Sequence, residues 1–285
     1  MYMGPNIGFI GVGHLGSALL TGILRSGEVA PGRLVICDSS TAALGKFPDL
    51  SQVEDPAGVV SRCGLIFLCV RPDAAQSVLS SLSAPGKVIL SAVAGMEARV
   101  IHDCTGANVL RIMPNLPAAL DEAATAYAEP NDLHAVQLEA ALDVLNMVGI
   151  TVPVSEDDFD VVTGLSGSGP AYVYLLLEGL IAGACRRGLT EQAARRLAAQ
   201  TVRGAAAVVL DSDESLETLI AGVATPGGTT AAGLGVLEAS GFAEHASWAV
   251  DAAAVRAEQL GRPAQKRTGS GSNCKQLFAK DKFCE

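Results

Sequence analysis

The chain has 285 residues, 49% of them hydrophobic and 18% charged, with 20 Lys and Arg against 30 Asp and Glu for a formal charge of -10. That length suits two domains with large cores, since a single core usually stops growing near ~250 residues. The acidic balance and the lack of a basic cluster argue against a nucleic-acid partner, and the longest apolar runs, such as Leu65 to Val70, fall far short of the ~18 residues of a membrane span.

The seven cysteines are odd in number and none falls in a C-x-x-C or Cys/His spacing, so no metal site is expected. Cys37, Cys63, Cys69 and Cys185 lie in apolar contexts and read as small hydrophobes. No basic region followed by an apolar leader precedes the first strand, and the expectation is a cytoplasmic protein.

Ile7 to Ile10 is a short apolar run that leads into Gly11-Val12-Gly13-His14-Leu15-Gly16, then an amphipathic stretch from Ser17 to Ser26 closed by Gly27. Strand, G-x-G-x-x-G, helix and C′ glycine in that order read as a dinucleotide-binding turn. Gly11 makes the tight turn, Gly13 lets pyrophosphate approach the backbone, and Gly16 lets the helix pack on the strand. A second strand, Leu34 to Cys37, ends in Asp38 and Ser39, with Asp38 lying 22 residues after Gly16. A carboxylate there either accepts from an adenosine ribose hydroxyl, which leans toward NADH over NADPH, or caps the next helix.

Strands recur at Leu65 to Val70, Val88 to Ala92 and Val109 to Met113, each running into a turn: Arg71-Pro72, Ala94-Gly95 and Pro114-Asn115-Leu116-Pro117. In a doubly wound sheet such turns line the cofactor cleft, which makes Val70, Arg71, Pro72, Ala94, Gly95, Met113, Pro114 and Asn115 candidate cofactor contacts. Arg71 either faces phosphate or ribose or is a solvated surface group. Asn115 either offers its amide to the nicotinamide end or forms an Asx turn. A helix over 132–147 and a strand from Ile150 to Val154 complete an α/β Rossmann-type domain over 1–155.

From residue 156 to 262 the pattern is helical. Gly164-Leu165-Ser166-Gly167-Ser168-Gly169-Pro170 opens an apolar helix over 171–187, and reads either as an interdomain turn or as a helix N-terminus whose backbone N–H groups bind an anion. A helix over 191–210 follows, capped by Thr190. A second glycine-rich turn, Ala224-Thr225-Pro226-Gly227-Gly228-Thr229-Thr230, opens another helix with two threonine hydroxyls beside its N–H groups. Two such turns in one helical domain favour the anion-binding reading. The helix after the first turn is apolar nearly all round, which implies burial against another subunit. A last helix runs from Glu244 to Leu260, and residues 263–285 read as a disordered or appended tail.

Gly11-x-Gly13-x-x-Gly16, Arg111-Ile112-Met113-Pro114-Asn115, Leu165-Ser166-Gly167-Ser168-Gly169-Pro170-Ala171-Tyr172 and Pro226-Gly227-Gly228-Thr229-Thr230 resemble, in order, the signature blocks of pyrroline-5-carboxylate reductase. The resemblance runs from about residue 6 to 261. It implies NAD(P)H-dependent reduction of 1-pyrroline-5-carboxylate to L-proline, the last step of proline synthesis. It also implies an intertwined homodimer through the helical domain, often assembled into a decamer, with the site completed at the dimer interface, and Thr230 as the orienting or proton-relay group. Leu116 stands where the family usually has Thr, Arg71 where it has Lys, and Asp38 where NADPH-preferring members carry small polar residues.

The chemistry of the residues agrees. Neither turn of the helical domain brings a His, Lys or Cys that could act as general base, and His102, His134 and His245 lie outside every motif. A protonated imine is a strong electrophile, so positioning and carboxylate binding supply most of what its reduction needs. On this reading N–H groups from Ser166, Gly167, Ser168 and Gly169 and from Gly227, Gly228, Thr229 and Thr230 hold the substrate carboxylate, while the Thr230 hydroxyl bonds the ring nitrogen. The rivals are a reductase of another cyclic imine, a β-hydroxyacid dehydrogenase, whose catalytic Lys is missing from the helix after the first turn, and a non-catalytic dinucleotide-binding protein.

Overall fold

The computed structural model describes residues 2–261; the expected tail over 263–285 lies outside them. The chain forms two compact units, one running to Ser168 and resuming at Asp251, the other Gly169–Val250.

The first unit is a sheet covered on both faces. In chain order it holds β1 (Ile7–Ile10), α1 (His14–Ser26), β2 (Leu34–Cys37), α2 (Thr41–Leu44), β3 (Ser51–Gln52), α3 (Pro56–Arg62), β4 (Leu65–Leu68), α4 (Pro72–Ser80), β5 (Val88–Ser91), α5 (Ala98–Thr105), β6 (Asn108–Met113), β7 (Ala123–Ala128), α6 (Ala135–Asn146) and β8 (Gly149–Val154). The strands lie in the order β3-β2-β1-β4-β5-β6-β7-β8, all pairings parallel except β6 with β7. Every residue of β1, β2, β4 and β5 is buried. This is the continuous apolar run expected of strands sandwiched between helices. Phe9 stacks on Phe67 at 4.6 Å on the face that packs against Leu19, Leu20 and Ile23 of α1. Ile10, Ile66 and Leu68 form the opposite core with Val59 and Leu79.

The alternating pattern predicts the strands from β1 to β6 and β8, but not β3 or β7. β7 reads Ala-Ala-Thr-Ala-Tyr-Ala, a sequence of low β-propensity. Its strand form comes from pairing on both sides, to β6 through Ile112 and Met113 and to β8 along its full length.

Residues 156–168 stay with the sheet. After α7 (Phe159–Val162) the chain runs through a π-helical turn, Thr163–Gly167. Phe159, 1% exposed, packs with Met113, Ala126 and Ala128. The compact unit therefore ends beyond the composition change at 155, because that aromatic ring is part of the sheet's core.

The second unit is helical: α8 (Gly169–Arg186), α9 (Glu191–Asp211), α10 (Leu216–Val223), α11 (Thr229–Ala239) and α12 (Phe242–Gly261), whose last residues from Asp251 belong to the first unit. The Thr190 side chain accepts from the Ala193 N–H and starts α9, as its residue type predicts. No residue of α8 is buried within the chain, and Val173, Tyr174, Leu175 and Leu180 are exposed.

Candidate functional site: a glycine-lined dinucleotide cleft

The strand order reverses between β1 and β4, and ligands of such sheets sit beyond the carboxyl ends of the strands at that point. Two loops meet there. Gly11 has φ 95°, and its N–H donates to the Cys37 carbonyl at 2.9 Å. A Cβ on Gly11 would lie 2.7 Å from the Cys69 carbonyl oxygen, and one on Gly16 would collide with the Gly11 carbonyl. These two glycines allow backbone to touch backbone. Gly13 differs: a Cβ there would meet nothing within 4 Å, and its backbone is exposed at the start of α1. That open cradle at a helix N-terminus fits a pyrophosphate. Leu15 packs on the core while His14 is exposed.

Asp38 lies where an acidic residue is expected, but both its oxygens have backbone donors. Oδ2 accepts from the Val12 N–H at 2.7 Å and Oδ1 from the Ser40 N–H at 2.8 Å. The carboxylate thus ties the glycine loop to the end of β2, which removes the Val12 N–H from the donors open to phosphate. Asp38 does not cap α2; Ser40 does, accepting from the Ala43 N–H. Ser39 is exposed beside it.

Val70 follows β4, its side chain 3.1 Å from a Cβ built on Gly11, and Pro72 begins α4. Arg71 is exposed and lies 3.3 Å from Asp73. Gly95, with φ 68°, follows Ala94 beyond β5 and opens onto a cavity of about 410 Å³ lined by Glu97, Arg111, Glu156, Asp157 and Asp160. Its carboxylates suit no phosphate. Burial pushes the Cys69 thiol, next to the glycine loop, up to about 12, which keeps it protonated at neutral pH.

Asn115 and Met113 are turned inward. The Asn115 amide Nδ2 donates to the Ser166 carbonyl at 3.0 Å and Oδ1 accepts from the Ala124 N–H at 3.1 Å, with the residue 8% exposed. Of the two uses expected for it, the amide is turned to the protein's own backbone instead of outward to a nicotinamide, and the bonds that hold it are not those of an Asx turn. Met113 is buried against Phe159, and Pro114 joins the two. Sequence reasoning gave no role to Arg111, Glu156 or Phe159. The Arg111 guanidinium is buried 4.5 Å over the Phe159 ring and 3.5 Å from Glu156 Oε1, which also accepts from the Ala98 N–H at the start of α5. An arginine in the middle of a strand was the available signal.

The glycine-rich run around Ser166 is not a free helix N-terminus. It is a π-helical turn joining α7 to α8, and the Ser168 N–H donates to the Thr163 carbonyl at 2.9 Å. Ser166, Gly167 and Gly169 are half-buried beside it. The Gly167 and Gly169 codes leave room rather than conformation, since neither has positive φ. The second turn does open a helix: Gly227 has φ 73°, Gly228 caps α11, and Thr229 and Thr230 form its first turn, where N–H groups lack intrahelical acceptors. The Gly228 N–H is used, donating to the Thr225 carbonyl at 2.9 Å.

Sheet order, glycine cradle and acidic β2 terminus together define a dinucleotide-binding α/β protein of the oxidoreductase type, joined to a helical unit. Residues 6–95 match the family model described as NADP oxidoreductase, coenzyme F420-dependent, and residues 156–260 that described as pyrroline-5-carboxylate reductase dimerisation. A pyrroline-5-carboxylate reductase of Methanosarcina acetivorans is 36% identical over 90% of this chain and 98% of its own, and reductase 3 of Danio rerio is 38% identical over 91% and 93%. The crystal structure of Plasmodium falciparum pyrroline carboxylate reductase with NADP bound superposes with a TM-score of 0.82 at 29% identity, covering 92% of this chain and all of that one. The chain belongs to the pyrroline-5-carboxylate reductase family.

Proposed function

We propose that this chain reduces 1-pyrroline-5-carboxylate to L-proline with a nicotinamide dinucleotide. The observation that carries the reading is the start of α11, where a positive-φ glycine and a capping glycine present Thr230 and first-turn N–H groups that lack intrahelical acceptors, with no general base in the motif. That equipment suits a substrate needing a carboxylate held and an imine nitrogen oriented. A bound nicotinamide would supply the hydride for the imine carbon, so that C=N would become CH–NH as the nitrogen took a proton. The loop that Gly11 and Gly16 pack into shape holds the dinucleotide at Gly13, with the turns at Val70, Arg71, Pro72 and Ala94 as further contacts. N–H groups at the start of α11, other than that of Gly228, take the substrate carboxylate, and the Thr230 hydroxyl bonds the ring nitrogen; the π-helical turn around Ser166–Gly169 shapes the substrate site without donating to it.

Asp38 supports NADH as the better cofactor, because its charge would repel a 2′-phosphate. A second copy of the chain covers the apolar surface of α8. By length and composition the continuous stretch Glu156–Arg186 would also suffice to cross a membrane. Its match to a dimerisation family supports a protein partner instead, in a homodimer or a decamer built from it. We place this role in the cytoplasm.

Initial rates of NADH and NADPH oxidation with pyrroline-5-carboxylate test this reading. Both are expected to be consumed, NADH with the higher kcat/KM. Faster use of NADPH would overturn the role of Asp38 alone. Oxidation of neither, or oxidation only with a six-membered cyclic imine, would overturn the substrate.

A further inference from the structure

We infer that Asn115 is a positioning residue for the substrate turn, holding the backbone at Ser166 in place. The need for it arises in the sequence. Pro170 has no N–H, and the carbonyl it would have served four residues back in a helix is that of Ser166. A carbonyl freed in this way must find another donor. Asn115 Nδ2 supplies it at 3.0 Å, while Oδ1 is fixed on the Ala124 N–H of β7 at 3.1 Å. The amide is held at both ends and nearly excluded from solvent.

Asn115 also continues a pattern along β6. Arg111, Met113 and Asn115 are two residues apart, and all three meet the segment that leads into α8. Arg111 lies over Phe159, Met113 packs on Phe159 with its sulfur 3.7 Å from where a Gly167 Cβ would be, and Asn115 reaches Ser166. With period-2 alternation, one strand face thus holds the connector at three successive points. π-Helical turns are costly departures from α-helical bonding and tend to persist where function uses them. Here the bond from Asn115 stabilises the turn from outside.

This inference rests on the reading of Ser166–Gly169 as part of the substrate site, and Asn115→Asp separates the two. That change keeps volume and the acceptor toward Ala124 but turns the donor at Ser166 into an oxygen. When ionised, the introduced carboxylate faces a carbonyl and repels it; when protonated, it donates again. The assays use the whole protein: substrate KM and kcat across pH, and the Kd for NADH by its own fluorescence. Asn115→Asp is expected to raise substrate KM about tenfold near neutral pH, with the NADH Kd within about twofold of the unaltered protein. The ratio of variant to unaltered KM should fall as pH is lowered. Asn115→Ala, read by the same split between KM and Kd but without pH rescue, serves if the acidic variant fails to fold. A weakened NADH Kd with unchanged substrate KM would overturn the inference and return Asn115 to the nicotinamide. An unchanged KM at every pH would overturn it outright. No turnover by the unaltered protein would overturn the reductase reading and this inference with it.

Discussion

Gly13 and Gly16 belong to one motif but answer different physical demands, and alanine at each position separates them. At Gly16 a methyl group would collide with the Gly11 carbonyl and approach the Cys69 Cβ to 3.3 Å. Both neighbours are fixed by the β1 and β4 termini, so the helix must move off the strand. Overpacking of this kind costs about 1–3 kcal/mol, and at about 2–4 °C per kcal/mol for a chain of this size the melting temperature should fall by ~5 °C. At Gly13 the backbone has φ -63° and ψ -157°, open to any residue, and a Cβ meets nothing within 4 Å. Alanine there should leave the fold unchanged or firmer by about 0.4–1 kcal/mol through the unfolded chain, while its methyl group occupies the cradle. A loss of at least ~1.4 kcal/mol, tenfold in Kd, is expected for the dinucleotide. Thermal melts without ligand and calorimetric titration with NADH and NADPH measure the two effects separately. A Gly13→Ala protein that binds dinucleotide normally would refute the reasoning, as would one destabilised as much as Gly16→Ala.

Thr230→Ala should lower kcat by about 10²-fold, the effect of losing a positioned donor, with the NADH Kd unchanged; steady-state kinetics beside a binding titration checks it. Leu175→Glu, placed at a site 70% exposed on α8, should shift the protein toward monomer in light scattering at low concentration, without lowering helix content by circular dichroism. Burial pushes the Cys63 thiol up to about 11 and the Cys69 thiol up to about 12, from an ordinary 9.0. Because the folded values are raised, the stability they contribute is complete below about pH 9 and lost as pH rises through about 11 to 12. Denaturant titrations should show that decline, and alkylation of the native protein at neutral pH should leave both thiols unmodified.

Much of the sheet unit was legible because its signals are local. The glycine spacing at Gly11, Gly13 and Gly16, the C′ glycine at Gly27 and the all-apolar strands each report on their own neighbourhood, and each has the expected backbone. β7 was illegible for the opposite reason: six residues rich in alanine become a strand only because two partners lie beside them. The run from Gly164 to Pro170 looked like a helix start, since glycine and proline mark helix ends far more often than they mark π turns. Its own bond from the Ser168 N–H to the Thr163 carbonyl closes the turn, and its Ser166 carbonyl accepts from the side chain of Asn115, fifty-one residues earlier in the chain. Asp38 lies directly after β2, where spacing alone put an acidic residue. Its bond to the Val12 N–H, which depends on how β1 and β2 pair, was not visible there.

Phe159 has a consequence for how the gene of such a protein is divided. Cutting after residue 155 follows the change in composition, yet it would strip the ring from beneath Arg111 and take Glu156 away with it. The truncated sheet would carry an apolar hole lined by Met113, Ala126 and Ala128 beside a guanidinium that has lost both its Glu156 partner and its aromatic face. An isolated nucleotide-binding half of this enzyme therefore needs at least the thirteen residues from 156 to 168, which look, in one dimension, like the beginning of something else, and it still lacks the end of α12 from Asp251 that belongs to the same unit.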